Sequence, residues 1–450
     1  MSETIFALST IFGKSGVAVI RISGPEAQQT LRAFGCEGEI SHKLVKPLYL
    51  LSPSTKEPLD QSIVMFFKGP HSFTGEDVVE LHLHGSIAVI TDVLAELAKL
   101  PHLRVAEPGE FSKRAFLNDK MDLTKAEALA QLIDAETTMQ RKLALRQLSG
   151  ELENLYEAWR QRMIDLLALL EALIDFPDED IPQETLEQAV RAVHQLQREM
   201  RNQLDDQGRG ETIMKGIEIA IIGVPNAGKS SLLNALTRDD TAIVSATAGT
   251  TRDVLKTKLD VGGYVVILAD TAGIRQAEDI IEQEGVRRAQ KAAQEADIVV
   301  LVIDPTQELV PQLNFPQTAA QILVLLNKVD IASPAQIEQA HQALKRTLGE
   351  QAVFEIIAKD KGAGDIVINK LKEVIVAHYS VDQNPVITNI RYRQHITEAC
   401  ESLEQFRISD PLEIACEHIR QAALSIGRIT GKIDPEEIIG QIFSSFCIGK

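Results

Sequence analysis

The segment Gly223-Val-Pro-Asn-Ala-Gly-Lys-Ser230 constrains this chain more than any other. It fits G-x-x-x-x-G-K-[ST] and lies between an apolar run, Ile217 to Ile222, and a helical pattern, Ser231-Leu-Leu-Asn-Ala-Leu236. That context predicts a phosphate-binding loop, in which glycines let backbone N–H groups close around phosphate oxygens at a helix N-terminus. Asn226, Ala227, Gly228, Lys229, Ser230 and Ser231 are the expected nucleotide contacts. Lys229 neutralises β/γ charge and the Ser230 hydroxyl ligates Mg²⁺. Such a loop needs a mostly parallel sheet around it. The apolar runs Val265 to Ala269, Ile298 to Ile303 and Ile322 to Leu326 supply strands, with helical stretches between them.

The remaining nucleotide motifs follow in order. Asp270-Thr271-Ala272-Gly273 comes after the next buried strand. Asp270 can hold the magnesium shell and the Gly273 N–H can sense a γ-phosphate. Asn327-Lys328-Val329-Asp330 ends another strand, where the Asp330 carboxylate can accept both N–H groups of guanine; adenine lacks the matching donors. Gly249, Thr250, Thr251, Arg252 and Asp253 occupy the switch position, with Thr251 as a second magnesium and γ-phosphate contact. A final guanine loop, usually S-A-K, is represented by Ile357-Ala358-Lys359. Loss of the serine hydroxyl there is expected to weaken nucleotide affinity, while Ala358 can still offer its N–H to the guanine carbonyl. Ile274 stands where many GTPases place a water-orienting glutamine. An apolar side chain cannot orient water, so Glu282 downstream is the acidic candidate. By residue type alone, Glu282 reads as a solvated surface glutamate.

Length and charge limit the alternatives. The 450 residues, 44 % hydrophobic, imply two or three domains. A net charge of −18 argues against coating nucleic acid by charge alone, so RNA contact must be local, directional or shared with a partner. Cys36, Cys400, Cys416 and Cys447 show no CxxC spacing, which disfavours metal and disulfide readings and favours a reducing cytoplasm. The first three read as packing residues. His82 and His84 share a strand face without further ligands and read as structural. The first residues lack a basic start followed by a long apolar core, and no run reaches membrane-spanning length, so no membrane association is expected.

Four segments emerge. Residues 1–118 are mixed α/β, with strands expected at Val17 to Ile22, Ile63 to Phe67 and Val78 to Leu83. Residues 119–213 are helical. A T-x-x-E capping box at Thr124 and Glu127 opens them, and a single helical pattern runs from about Thr138 to Asp175. Phe176-Pro177 stops it. Another helix follows, and Gly208-Arg209-Gly210 reads as a hinge. Residues 214–379 hold the P-loop domain. Residues 380–450 are helical again, with a last helix opening at Asp434-Pro435. The expected fold is therefore an α/β P-loop GTPase domain inserted into a discontinuous all-α domain, preceded by an N-terminal α/β domain.

Three further regions make the chain recognisable: Gly16 to Gly24, containing Arg21; Thr74 to Glu80 with Pro108 to Leu123; and the terminus Phe446-Cys-Ile-Gly-Lys450. With the GTPase motifs, they resemble the MnmE (TrmE) family of tRNA-modification GTPases from end to end. The resemblance implies that the N-terminal domain binds a tetrahydrofolate derivative (5-formyl or methylene form) and makes a homodimer. Arg21, Glu80, Lys120 and Lys450 then correspond to folate-contacting positions. It implies K⁺ held by Asn226, Ser245, Thr247 and Thr250 between switch and nucleotide, activation when two GTPase domains meet, and Glu282 as the catalytic acid. It also implies tRNA as substrate and an MnmG-type flavoprotein carrying FAD as partner, in a heterotetramer. Together they would install a carboxymethylaminomethyl or aminomethyl group at C5 of the wobble uridine. Cys447 has two readings, a reactive thiol near the folate pocket or a small packed residue. A ribosome-assembly or other RNA-binding GTPase is an alternative, disfavoured by the acidic balance and the helical C-terminus. A nucleotide-controlled scaffold is another, allowed by Ile274.

Overall fold

A computed structural model of the chain describes residues 3–175, 183–237, 257–269, 291–309, 321–349, 353–381, 385–433, 440, 442–444 and 446–449. The chain opens with β1 (Thr4–Leu8), β2 (Ser15–Ser23), α1 (Ala27–Ala33), β3 (Leu44–Leu51), β4 (Pro58–Phe67), β5 (Val78–Gly85), α2 (Ile87–Lys99), β6 (Leu103–Val105) and α3 (Glu110–Leu117). These strands form one sheet in the order β3-β4-β5-β2-β1-β6, antiparallel except for the β1–β6 pair. Strand periodicity divides the side chains of β1 between two cores. Phe6 joins Ile20, Ile22, Leu31 and Leu97 on one face. Ile5 and Ala7 join Phe111 of α3 on the other.

Helices follow: α4 (Leu123–Asp134), α5 (Thr138–Leu148), α6 (Glu151–Asp175), α7 (Gln183–Leu204) and α8 (Arg209–Lys215). Three expectations change here. The cap of α4 is Asp122, whose Oδ1 accepts from Lys125 N at 2.9 Å, rather than Thr124. A carboxylate two residues earlier caps the helix instead, and the Thr124 hydroxyl itself donates to Asp122 Oδ2 at 2.8 Å. The pattern from Thr138 to Asp175 is two helices, because Gly150 adopts φ +88° and interrupts the helical path. The expected hinge is a packed corner: Gly208 begins α8 at φ +70°, and a β-carbon on Gly210 would lie 2.2 Å from Ile387 O.

The second sheet contains β7 (Ile217–Ile222), β8 (Thr257–Val261), β9 (Tyr264–Leu268), β10 (Ile298–Ile303), β11 (Gln321–Asn327) and β12 (Val353–Ile356). Between and after them lie α9 (Lys229–Leu236), α10 (Pro334–Leu348) and α11 (Ala363–Tyr379). The order is β12-β11-β10-β7-β9-β8, with only β8 antiparallel to its neighbour. β7 is buried on both faces: Ile217, Ile219 and Ile221 enter one core, Ala220 and Ile222 the other. That explains its almost wholly apolar sequence, broken by Glu218. The chain ends with α12 (Ile390–Gln405) and α13 (Leu412–Thr430). The expected start of a last helix at Asp434 lies outside the described residues.

Two compact units result. One contains residues 1–130, 147–197 and 395–450; the other contains 131–146 and 198–394. In the first, α6 packs along α13, so helical segments flanking the P-loop segment share one layer. Leu152, Tyr156, Trp159, Met163 and Leu170 of α6 are buried, as are Ala415, Cys416, Ile419 and Ile426 of α13. No described helix is long and apolar enough to cross a membrane.

Candidate functional site

The phosphate-binding loop leaves the carboxyl end of β7, the side of a parallel sheet where such folds bind ligands. Its backbone takes left-handed conformations at Asn226 (φ +62°) and Gly228 (φ +106°) before α9 begins at Lys229. Lys229 is not solvated freely. Its ammonium donates to Gly223 O and Val224 O, both at 2.8 Å, and burial pushes it below its ordinary pKa. A desolvated cation at a helix N-terminus, held here by neutral carbonyls, is suited to an incoming phosphate. Gly228 leaves room where a β-carbon would collide with Asn327 Nδ2 at 2.0 Å. Ser230 and Ser231 lie in the first turn of α9, with Ser230 exposed, so its hydroxyl is available for the magnesium role.

Asn327 ends β11 and is almost wholly buried. Its Nδ2 donates to Ala227 O at 2.7 Å, and its Oδ1 accepts from Ala358 N at 2.9 Å. One carboxamide thus fixes the phosphate loop and the last guanine loop to each other. The Ile357 turn closes without a serine hydroxyl, because Asp360 N donates to Ile357 O at 2.9 Å. Ala358 N is spoken for by Asn327 in this arrangement, while Lys359 is exposed. Asp330 is exposed in the turn after Lys328, whose own backbone is left-handed at φ +63°.

Lys328 Nζ donates to Asp304 Oδ2 at 2.7 Å. Asp304 belongs to no motif; the only hint in the sequence is a carboxylate directly after the six apolar residues of β10. Asp270, Thr271, Ala272, Gly273, Ile274, the switch residues Gly249, Thr250, Thr251, Arg252 and Asp253, the potassium candidates Ser245 and Thr247, Glu282, and Lys450 lie outside the described residues.

In the N-terminal sheet, Arg21 and Glu80 are direct cross-strand partners of β2 and β5. Arg21 Nε and Nη2 donate to Glu80 Oε1 at 3.0 and 2.9 Å. The guanidinium also sits 5.2 and 5.7 Å from the ring centres of Phe73 and Phe111. Glu80 Oε2 meets His82 Nε2 at 3.2 Å. His84 instead pairs with Asp60. Lys120 is exposed, and its Cε would lie 3.2 Å from a β-carbon on Gly75. The C-terminal segment docks on the same unit. Ile448 bridges Pro108, Ser9 Oγ donates to Gly449 O at 3.0 Å, and Cys447 is exposed. Cys36, Cys400 and Cys416 are buried, in keeping with packing roles. No cluster of three metal-ligating side chains occurs among the described residues.

Comparison with known proteins settles the family. The model for the "GTP-binding protein TrmE N-terminus" matches residues 4–120, and that for the "MnmE helical domain" matches 123–447. The chain belongs to the MnmE family. It is similar to the tRNA modification GTPase MnmE of Rickettsia akari (strain Hartford), 44 % identical over 452 residues and the full length of both chains. The MnmE of Rickettsia bellii (strain RML369-C) is likewise 44 % identical, over 455 residues and both full lengths. Among solved structures, Era in complex with MgGDPNP and 16S ribosomal RNA nucleotides aligns at 23 % identity and TM-score 0.28. That alignment covers 43 % of this chain and 68 % of that one, and it adds nothing to the MnmE match. Membership in the MnmE family makes the chain a GTP hydrolase of the tRNA-modification class.

Proposed function

We propose that this chain hydrolyses GTP to drive modification of the wobble uridine of certain tRNAs. The observation that carries the reading is the Asn327 bridge between the phosphate loop and the Ala358 loop, in a chain similar from end to end to proteins named tRNA modification GTPase. Backbone amides from Asn226 to Ser231 and the Lys229 ammonium bind the phosphates, and Asp330 selects guanine. The neighbouring loops Asp270 to Gly273 and Gly249 to Asp253 sense the γ-phosphate, and Glu282 orients the attacking water in place of the absent glutamine.

Magnesium held by Ser230 and Thr251, and potassium held by Asn226, Ser245, Thr247 and Thr250, would offset negative charge in phosphoryl transfer. The two ions fit the chain differently on the described residues. Ser230 offers an exposed hydroxyl beside Lys229, whereas of the potassium set only Asn226 is described.

In this reading residues 1–118 bind the folate and form the homodimer, 119–213 and 380–450 build the helical domain, and 214–379 are the motor. Arg21, Glu80, Lys120 and Lys450 surround the folate, with Cys447 nearby. Arg21 and Glu80 act as a pair: once Arg21 is neutralised by Glu80, Lys120 and Lys450 remain as the cations for a glutamyl carboxylate. The protein works in the cytoplasm with an MnmG-type flavoprotein that carries FAD.

Mass analysis of wobble uridines in cells lacking the protein tests the reading. The C5 modification should vanish and return with the native chain but not with Lys229→Ala. GTP turnover should be faster in potassium than in sodium and fall on Glu282→Ala. Unchanged uridines in the deletion strain would end the tRNA assignment.

A further inference from the structure

Asp304 is fully buried, yet it is a carboxylate. Donors that meet it include Thr306 N at 3.0 Å, Thr306 Oγ1 at 2.6 Å, Gln307 Nε2 at 3.0 Å and Lys328 Nζ at 2.7 Å. The sheet brings Asp304 and Lys328 close together. β10 and β11 are parallel neighbours with Ile303 opposite Leu326. Asp304 and Lys328 therefore leave adjacent strands at the same edge, the edge from which the phosphate loop also leaves.

An ion pair of this kind costs desolvation and is a weak source of stability. Its geometry suggests another use. Lys328 lies between Asn327, which ties together the two nucleotide loops, and Asp330, which reads the base. With its ammonium drawn to Asp304, the lysine presents its methylene stem, not its charge, to an apolar purine face. The left-handed backbone at Lys328 is one that non-glycine residues adopt only when their surroundings enforce it, and Asp304 anchors that residue's side chain.

We propose that Asp304 is a positioning residue for guanine-nucleotide binding, acting through Lys328 to shape the wall of the base pocket. This rests on the GTPase reading above. Asp304 touches neither phosphate nor the guanine edge in this role. Its loss weakens binding of the base and leaves the reacting phosphates in place.

Binding of GDP to the full chain by titration calorimetry, with GTP turnover in parallel, tests the assignment. Asp304→Asn keeps the shape and loses the charge. It should raise the GDP dissociation constant and the KM for GTP about 10-fold, equivalent to about 1.4 kcal/mol, with kcat at saturation nearly constant. Lys328→Met should give a similar loss. Combining Asp304→Asn with Lys328→Met should cost little beyond either change alone, because the two act through one contact. Additive losses, or an Asp304→Asn protein that binds GDP like the native chain, would overturn the inference. A native chain that binds no guanine nucleotide would overturn the GTPase reading instead. Should Asp304→Asn unfold, the split between KM and kcat in Lys328→Met decides: a fall in kcat with unchanged KM contradicts the role.

Discussion

Gly228 and Asn327 meet so closely that a β-carbon on the glycine would lie 2.0 Å from the asparagine carboxamide nitrogen. The glycine is required twice over. Its φ of +106° suits no side chain, and the neighbour it would strike is the group that bonds Ala227 O. A phosphate loop and a base-side loop, separated by 100 positions in the chain, are thereby one object.

Gly228→Ala should therefore damage both halves of the site. The added carbon must expel Asn327 from its bonds to Ala227 and Ala358, leaving buried polar groups unpaired at about 1–3 kcal/mol each. Nucleotide binding followed by calorimetry should be lost, and thermal unfolding of the nucleotide-free protein should come earlier. Native-like binding would contradict the contact.

Lys229→Met should separate ligand binding from folding. The native ammonium is charged in a desolvated place, and its lowered pKa means that folding opposes this charge at neutral pH. That penalty is present below the folded pKa and fades as pH rises toward the ordinary lysine value. Removing the charge offsets the loss of bonds to Gly223 O and Val224 O, so the nucleotide-free protein should keep its stability to within about 1 kcal/mol. The rise in unfolding temperature caused by GDP should disappear. A persistent GDP-induced rise would count against Lys229 as the phosphate cation.

The first unit should weaken in acid through Glu110. Burial acts to raise its pKa, but hydrogen bonds from Arg104, Glu107 N–H and Arg114 outweigh it and hold the carboxyl at about 2. A lowered folded value gives stability that is fully present above the unfolded pKa of about 4.3 and is lost as pH falls toward 2. After allowance for solvent screening, the contribution is about 1–2 kcal/mol. In urea unfolding, Glu110→Gln should be the weaker protein at pH 7, and the gap should narrow steadily below about pH 4 and close only as pH falls through about 2. A gap independent of pH would assign the effect to shape alone.

Arg393 joins the chain segments on either side of the second sheet. It donates to Glu211 Oε1 at 2.9 Å, Leu204 O at 2.8 Å and the Asp206 carboxylate, while Gln203 Nε2 donates to Pro385 O at 2.7 Å. Arg393→Ala should lower the opening free energy of α8 by about 1–3 kcal/mol, read as faster amide hydrogen exchange there. Exchange in β10, deep in the sheet, should be unaffected. Equal acceleration in both would point to global destabilisation.

The strands around the nucleotide were legible because a parallel sheet buried on both faces demands unbroken apolar runs, and β10 matches its expected span of Ile298 to Ile303. The phosphate loop was legible because its chemistry permits few residue types. Helix ends were harder to read. Asp122 displaced Thr124 as the cap because the helix starts two residues earlier, where the Asp122 carboxylate takes the Lys125 N–H, and Gly150 broke a pattern whose apolar spacing continued across it.

The sequence by itself determined the guanine-nucleotide motifs, the helical segments on both sides of them and the family, since these depend on residue type and local spacing. Only the tertiary structure decided that Arg21 is neutralised by Glu80, that Asn327 spans two loops and that Asp304 holds Lys328. Those pairings arise from strand register and from which strands lie side by side. A sequence read along its length carries no direct measure of either.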